Sequence, residues 1–489
     1  MTWNGPLNKI DDFRYEIPAD YKGEKNNLKM NTSAVIYTDS SMIDKIRQDN
    51  APEQVANISM LPGIVGKAMA MPDIHWGYGF PIGGVGAVDS ENGVVSPGGI
   101  GFDINCGCRL IKTNINISDL NKEKIHNIID EMFFNVPSGL GSKSRIRFSK
   151  KELEKILLEG AKAVIEKGYG WEKDIDFLEE KGCLQNADIN HISDKAINRG
   201  LSQVGSLGAG NHFLEVQKVE EIFNKDIAKT YGITEIGQIV IMIHTGSRGF
   251  GHQVCTDHLR VLERAVKKYD IWLPDRQLAC APINSKEGES YIKAMACAAN
   301  FAWANRQLIV HWVRESFEHI LKDSAENMDM SIIYDICHNI GKFEDHIIDG
   351  KKKKVFVHRK GATRAFGPEN PDIPIQYQDV GQPVLIPGDM GTESYLLHGT
   401  KESEESFSST CHGAGRVLSR HQALKNWRGE EVVKELGRRG IYVHPASFKV
   451  AAEEAPGAYK NIRKVVDISD GANLSKKVVR LKPIGVVKG

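Results

Sequence analysis

Met71-Pro-Asp-Ile-His-Trp-Gly-Tyr-Gly-Phe-Pro-Ile-Gly-Gly-Val-Gly86 and, a short way on, Gly99-Ile-Gly-Phe-Asp-Ile-Asn-Cys106 are glycine-rich runs with polar residues set among them. Glycine supplies backbone conformations that other residues resist and lets main chain come close to a ligand. Glycines cluster from Gly77 to Gly86 and from Gly98 to Gly107, and again at Gly205 to Gly210, Gly246 to Gly251, Gly388 to Gly391 and Gly413 to Gly415. That pattern predicts a site assembled from many loops. Short β-rich runs, Arg109 to Ile115, Ile239 to His244 and Pro383 to Ile386, end at or start from these clusters, so the chemistry is expected at strand ends.

Between the clusters the spacing predicts ordinary helices. Leu120 to Phe134 carries apolar residues at helical intervals, and Ser149 with Glu152 forms a capping box that opens a run to Lys167. Phe301 to Leu321 reads as a long amphipathic core helix, with Phe301, Leu308, Ile309, Trp312 and Phe317 on one side. The four lysines Lys351 to Lys354 read as a solvated hairpin turn. Neither a linker nor a repeat interrupts the pattern, which favours one intertwined catalytic domain over residues 1–489.

Composition narrows the class. With 41% hydrophobic and 26% charged residues the chain can bury a large core. The N-terminus lacks an apolar run of signal-peptide length, and nowhere do about eighteen uncharged apolar residues follow one another; a cytoplasmic protein without a membrane span is expected. Eight cysteines in 489 residues are too sparse for a disulfide scaffold. Basic and acidic residues balance at 63 each, so a nucleic-acid site would have to be a local basic patch.

Asn211-His212, His244-Thr245-Gly246, Cys337-His338-Asn339, Cys411-His412-Gly413 and Asp103-Ile104-Asn105-Cys106 place imidazoles, a carboxylate and a thiolate beside small or polar residues. One such histidine alone is better read as structural; several together with Asp103 and Cys106 read as a transition-metal site. By ligand softness a thiolate site would take zinc or iron, since manganese prefers oxygen. Cys106 and Cys108 are spaced Cys-x-Cys, which is not a zinc-ribbon knuckle. Gly63-Ile-Val-Gly-Lys67-Ala68 lacks the spacing and the hydroxyl of a P-loop, and no Lys-x-Asp-Gly nucleophile motif occurs.

The two opening runs, together with Gly208-Ala-Gly-Asn-His-Phe-Leu-Glu215, His244-Thr-Gly-Ser-Arg-Gly249, His358-Arg-Lys-Gly-Ala-Thr-Arg364, Ser409-Thr-Cys-His-Gly-Ala-Gly-Arg416 and the ending Arg480 to Gly489, closely resemble RtcB-type RNA ligases, in the family's order. The resemblance implies an α+β fold, a single large domain with central β-sheets flanked by helices. It implies two manganese ions bridged by Cys106, one completed by Asp103 and His212, the other by His244 and His338. His412 would attack the α-phosphate of GTP and hold GMP. Asn211, Phe213, Glu215, Asn339, Pro387, Gly388, Asp389, Met390, Ser394, Gly413, Ala414, Gly415, Tyr459 and Lys488 would bind the nucleotide. Arg199, Arg248, Arg416 and Arg420 would bind RNA phosphates.

The implied reaction opens a 2′,3′-cyclic phosphate when needed, activates the RNA 3′-phosphate with GMP, and joins it to a 5′-hydroxyl. Its substrates would be cleaved tRNA halves or other broken RNA, and some members with this longer form use a small activating protein, archease. Asp389 is a departure, standing where serine is common among the family's archaeal members. Two competing readings are a dinuclear metallo-phosphodiesterase and a non-catalytic RNA-binding relative. His412, Glu215 and Lys488 together disfavour the first, and the intact Cys106 and His412 the second.

Overall fold

The computed structural model describes residues 2–22 and 29–489. Its α+β architecture is built on two large sheets. The first runs, edge to edge, Asn8–Lys9, Arg14–Ile17, Ala34–Tyr37, Ile64–His75, Ile82–Asp89, Lys351–Lys360 and Asn339–Ile348. The second runs Ile332–Cys337, Gly107–Asn116, Gln238–Thr245, Phe213–Ile222, Ser475–Lys488, Ser394–Gly399 and Pro383–Ile386, and Tyr442–Pro445 pairs parallel with the end of Ser475–Lys488. Most strands of the second sheet are buried along their length, as expected where both faces carry apolar cover.

Register decides what meets at one end of that sheet. Gly107 pairs with both Cys337 and Thr245, Phe213 pairs with both His244 and Lys488. Residues 106, 212, 244 and 338 are therefore neighbours in space although far apart in sequence. His338 is the single residue between Ile332–Cys337 of one sheet and Asn339–Ile348 of the other, so it stands where the chain crosses between them. Gly107 is required at this crowded end, because a Cβ there would lie 2.1 Å from the Ile336 carbonyl oxygen.

A helix of 36 residues, Lys286–Leu321, passes beneath the second sheet, about 54 Å long at 1.5 Å per residue. Ser285 caps it by accepting from Gly288 N–H, and Lys322 ends it in the left-handed conformation. It begins fifteen residues before the helix expected from Phe301, because the alanine-rich stretch 294–304 is buried on all sides and leaves no one-sided apolar stripe to read. Asn300, Asn305, Arg306 and Gln307 are fully buried in it.

Two further expectations are corrected. The capping box of Ser149 and Glu152 forms, but the helix stops at Glu159 and a second runs Ala161–Ile165. Gly160 breaks it at φ +61°, where a Cβ would sit 2.0 Å from the Gly182 carbonyl oxygen. The lysine run is not the turn: Asp349 and Gly350, both at positive φ, make the turn, and Lys351–Lys354 open the returning strand. Residues such as Asp and Gly take up that conformation readily, so the turn forms ahead of the lysines. Among the described residues no helix is long and apolar enough to cross a membrane.

Candidate active site

Two ligand sets form at the crowded strand ends: Asp103, Cys106 and His212, and Cys106, His244 and His338, with Cys106 common to both. His212 Nε2 lies 2.9 Å from Asp103 Oδ2 and 3.5 Å from Cys106 Sγ. His244 Nε2 lies 3.3 Å from the same sulfur and 3.2 Å from His338 Nε2. Cys106, His212, His244 and His338 are all buried.

The donor set fits cations better than hydrogen bonds. Burial drives the pKa values of His244 and His338 well down, so both rings are neutral, and burial together with the Asp103 charge pushes the Cys106 thiol well up. Burial raises the Asp103 carboxyl, but the hydrogen bond and charge of His212 outweigh it and hold it below the carboxylate range. Facing Nε2 atoms of two neutral rings share a proton poorly, and Nδ1 of both His244 and His338 has no partner among the described residues. A cation would take both Nε2 lone pairs and stabilise the thiolate. For His212, Nδ1 donates to the Leu207 carbonyl oxygen at 3.0 Å, so a cation would replace the proton that Nε2 shares with Asp103.

Arg306 locks the loops that carry these ligands. Its NH1 donates to the carbonyls of Asn105 and Thr245, each at 2.9 Å, and its NH2 to Asn105 Oδ1 at 2.9 Å. Its Nε and NH2 also hold both oxygens of Asp335, on the strand leading to His338. Asn105, next to Cys106, sits at φ +52°, a conformation uncommon outside glycine, and is held there by Arg306 and by its own N–H to Asn339 O at 2.7 Å. Asn305 Oδ1 accepts from Gly205 and Ser206 N–H, fixing the loop whose Leu207 carbonyl orients His212.

His412 follows the short strand Ser409–Cys411. Buried Asp73 accepts from both its main-chain N–H, at 2.9 Å, and its ring Nδ1–H, at 2.5 Å. That fixes the tautomer with a lone pair on Nε2. The ring centroid lies 5.0 Å from that of His338. Lys460 donates to the carbonyls of Pro72 and Ile74, on either side of Asp73. Gly415, at φ +71°, has no room for a side chain, since a Cβ would be 2.5 Å from the Asp73 carbonyl oxygen. At Gly413 the nearest atom to such a Cβ is 3.2 Å away, a tight but less forbidding fit.

Cys106, His244, His338 and His412 open onto one pocket of about 500 Å³. Asn211, Phe213, Asn339, Pro387, Gly388, Asp389, Met390, Gly413, Ala414, Gly415, Tyr459 and Lys488 line it. Glu215 and Ser394 lie behind that lining: Gln217 Nε2 donates to Glu215 Oε2 and to Ser394 Oγ, which in turn accepts from Gly388 N–H. Glu215 Oε1 is buried without a partner, and burial pushes the carboxyl up to about 8. Burial brings Lys488 down to about 8; its Nζ donates to the His212 carbonyl and sits over Phe213. Asp389 is turned inward, accepting from Gly391 N–H and Thr392 Oγ–H, and burial raises its carboxyl.

The four arginines fall into two pairs. Arg416 and Arg420 line the pocket, and both pair with buried Glu454, Arg416 also reaching the Tyr459 hydroxyl at 3.1 Å. Arg248 is buried on the Asp103 side with Nε on Ser206, and Arg199 is exposed near it. The loop Gly208–Gly210 passes between the two groups: a Cβ at Gly208 would meet Arg248 NH1, and one at Gly210 would meet Arg420 NH2. Sequence reasoning passed over Asp73, Arg306, Gln217, Glu454 and Lys460. Asp73 lies inside the run quoted first, and Arg306 could have been singled out as a charge in an apolar helix; the others carry no local signal.

The family model described as tRNA-splicing ligase RtcB matches residues 54–489. The chain is similar to tRNA-splicing ligase RtcB of Thermococcus kodakarensis, at 54% identity over 485 residues and 99% of each chain. Against the protein of the same name from Methanococcus maripaludis identity is 55% over 484 residues, 99% of each chain. Against that of Archaeoglobus fulgidus it is 53% over 490 residues, the full length of both.

Proposed function

The chain belongs to the RtcB family, and on that premise we propose that it is a GTP-dependent RNA ligase joining a 3′-phosphate or 2′,3′-cyclic phosphate end to a 5′-hydroxyl end, in tRNA splicing or RNA repair. The observation that carries this reading is His412. Asp73 holds its Nδ1–H, its Nε2 has no partner among the described residues, and it shares one pocket with Cys106, His244 and His338. A site that only hydrolysed cyclic phosphates would need its cations but neither a nucleophilic histidine nor a guanine pocket.

The two ligand sets would hold two divalent cations, manganese by the family's pattern, whose charge neutralises the triphosphate and the leaving pyrophosphate. His412 Nε2 attacks the α-phosphorus of GTP. The N–P bond forms as the bond to the bridging oxygen breaks, and Asp73 steadies the positive charge on the ring. An oxygen of the RNA 3′-phosphate then displaces histidine, giving RNA-3′-pp-5′-G and returning the lone pair to Nε2. Finally the 5′-hydroxyl oxygen attacks the RNA-side phosphorus, loses its proton and expels GMP. Water or hydroxide would be a poor leaving group from a bare phosphate, so activation by GMP accounts for the use of GTP.

Phe213 and Tyr459 offer apolar faces for guanine and ribose. Glu215, with Oε1 unpartnered, can accept from guanine N1–H and N2–H, and Ser394, Asn211 and Lys488 supply further polar contacts. Arg416 and Arg420 are placed to meet RNA phosphates at the pocket, and Arg199 and Arg248 on the Asp103 side. The lining runs from Asp49 to Lys488, which supports treating residues 1–489 as one catalytic domain. Archease remains a partner to be tested by addition.

The test is joining itself. RNA carrying a labelled 2′,3′-cyclic phosphate or 3′-phosphate, a 5′-hydroxyl RNA, GTP and manganese, with and without archease, should give a product whose label resists phosphatase. Hydrolysis of cyclic phosphate with no joined product under either condition would contradict the reading. Asp73→Ala is expected to slow single-turnover transfer of GMP to the protein by about 10²-fold, the order of loss that follows from misplacing a reacting group. Asp73→Asn, whose amide oxygen can still accept, should lose less. Manganese uptake by both variants, followed by titration, should match the unmodified protein.

A further inference from the structure

We propose that the indole of Trp76 is a stacking platform for a terminal nucleobase of the RNA ends handled in the His412 pocket, a proposal that rests on the ligase reading. Among the described residues, the exposed large apolar side chains that line this pocket are Trp76, at 49% exposure, and Val417, at 47%. Trp76 belongs to none of the apolar cores. Its ring therefore gives the fold little, and it stands at the lip of a pocket whose floor holds His412.

The backbone under it is fixed. Ile64–His75 ends one residue earlier, and Trp76 N–H donates to Asp49 Oδ2 at 3.0 Å. Gly77 is held on both sides by buried Gln54, its N–H donating to Oε1 at 3.0 Å and its carbonyl accepting from Nε2 at 2.6 Å. A Cβ at Gly77 would lie 2.4 Å from the Phe80 carbonyl oxygen, so the tight turn accepts only glycine there. An aromatic ring offered to solvent on a pinned main chain is already ordered for a partner, which lowers the cost of binding.

The position also selects the partner. The nucleotide side of the pocket is buried around Glu215 and Phe213, whereas Trp76 lines the pocket with about half of its surface open to solvent, a position suited to a polymer that extends beyond it. Arg420, whose side chain is 50% exposed, and Arg416 line the same pocket and supply charge for its phosphates. Every base presents a π-face, so stacking there would hold RNA ends without regard to sequence, as an end-joining enzyme requires.

The test compares Trp76→Ala and Trp76→Phe with the unmodified protein in RNA joining and, without GTP, in RNA binding by fluorescence anisotropy. Trp76→Ala should raise the KM and Kd for RNA by about tenfold or more, a typical loss for one base–aromatic stack, with a much smaller change in the KM for GTP; Trp76→Phe should keep most of the affinity. RNA with an abasic 3′-terminal or 5′-terminal nucleotide needs no altered protein, and one of the two should bind the unmodified protein and Trp76→Ala equally weakly, naming the end involved. Unchanged RNA affinity in Trp76→Ala, an equal rise in the KM for GTP, or full sensitivity to the substitution with both abasic RNAs would overturn the proposal. If the unmodified protein binds RNA through Trp76 yet never joins it, the ligase reading fails while the stacking contact stands.

Discussion

Cys106→Ala protein is expected to take up neither of two manganese ions and to lose RNA joining altogether. Cys106 is the one donor common to both ligand sets, so its removal takes the bridging negative charge from each. The remaining donors are then Asp103 with His212, and His244 with His338, the latter a pair of neutral imidazoles 3.2 Å apart at Nε2. Loss of an outer-shell partner alone costs about 10- to 100-fold in metal affinity, and loss of a shared inner ligand should exceed that at both positions. Cys108→Ala is the matched control. Cys108 is as deeply buried, two residues away, and belongs to neither set. It should bind two ions per chain by calorimetric titration, where Cys106→Ala should bind none. Two ions of unaltered affinity in Cys106→Ala would remove the shared-thiolate site.

Arg306→Met is expected to lower stability by at least about 3–5 kcal/mol, the cost of breaking a buried ion pair by deleting one partner. The figure belongs toward its lower end for Asp335 itself, because Arg109 Nε still donates to that carboxylate at 2.7 Å. The Asn105 and Thr245 carbonyls lose their Arg306 donor, however, and each buried acceptor left unpaired adds about 1–3 kcal/mol. Arg109→Met separates stability from function. It removes the other arginine on Asp335 while leaving the contacts to Asn105 and Thr245 intact, so it should destabilise comparably in urea but keep its manganese affinity. Arg306→Met should lose about 10- to 100-fold in that affinity under conditions where it is folded. Equal metal affinities in the two variants would reduce Arg306 to a packing residue.

The sequence revealed the parts of the site that announce themselves locally. Histidines set beside glycine and small residues were legible one by one, and the glycine runs pointed to loops at strand ends, where the structure does bring Asp103, Cys106, His212, His244, His338 and His412 together. What pairs them is register: Gly107 with Cys337 and Thr245, Phe213 with His244 and Lys488. No single stretch encodes that. The same limit hid Asp73 behind His412, Gln217 behind Glu215, and Glu454 beneath Arg416 and Arg420, each contact spanning distant parts of the chain or a buried layer. Helix limits were misread where local signals weaken: an alanine-rich segment buried all round has no stripe, and a glycine break at Gly160 is set by the distant Gly182 carbonyl.

The most direct measurement is incubation of the purified protein with manganese and GTP labelled at the α-phosphate, followed by denaturing gel electrophoresis, beside His412→Ala. The guanylylated-histidine account requires label that stays on the protein through denaturation, is released by acid as a phosphoramidate should be, and is missing from His412→Ala. Equal labelling of His412→Ala, or no label on the unmodified protein even with archease supplied, would contradict it.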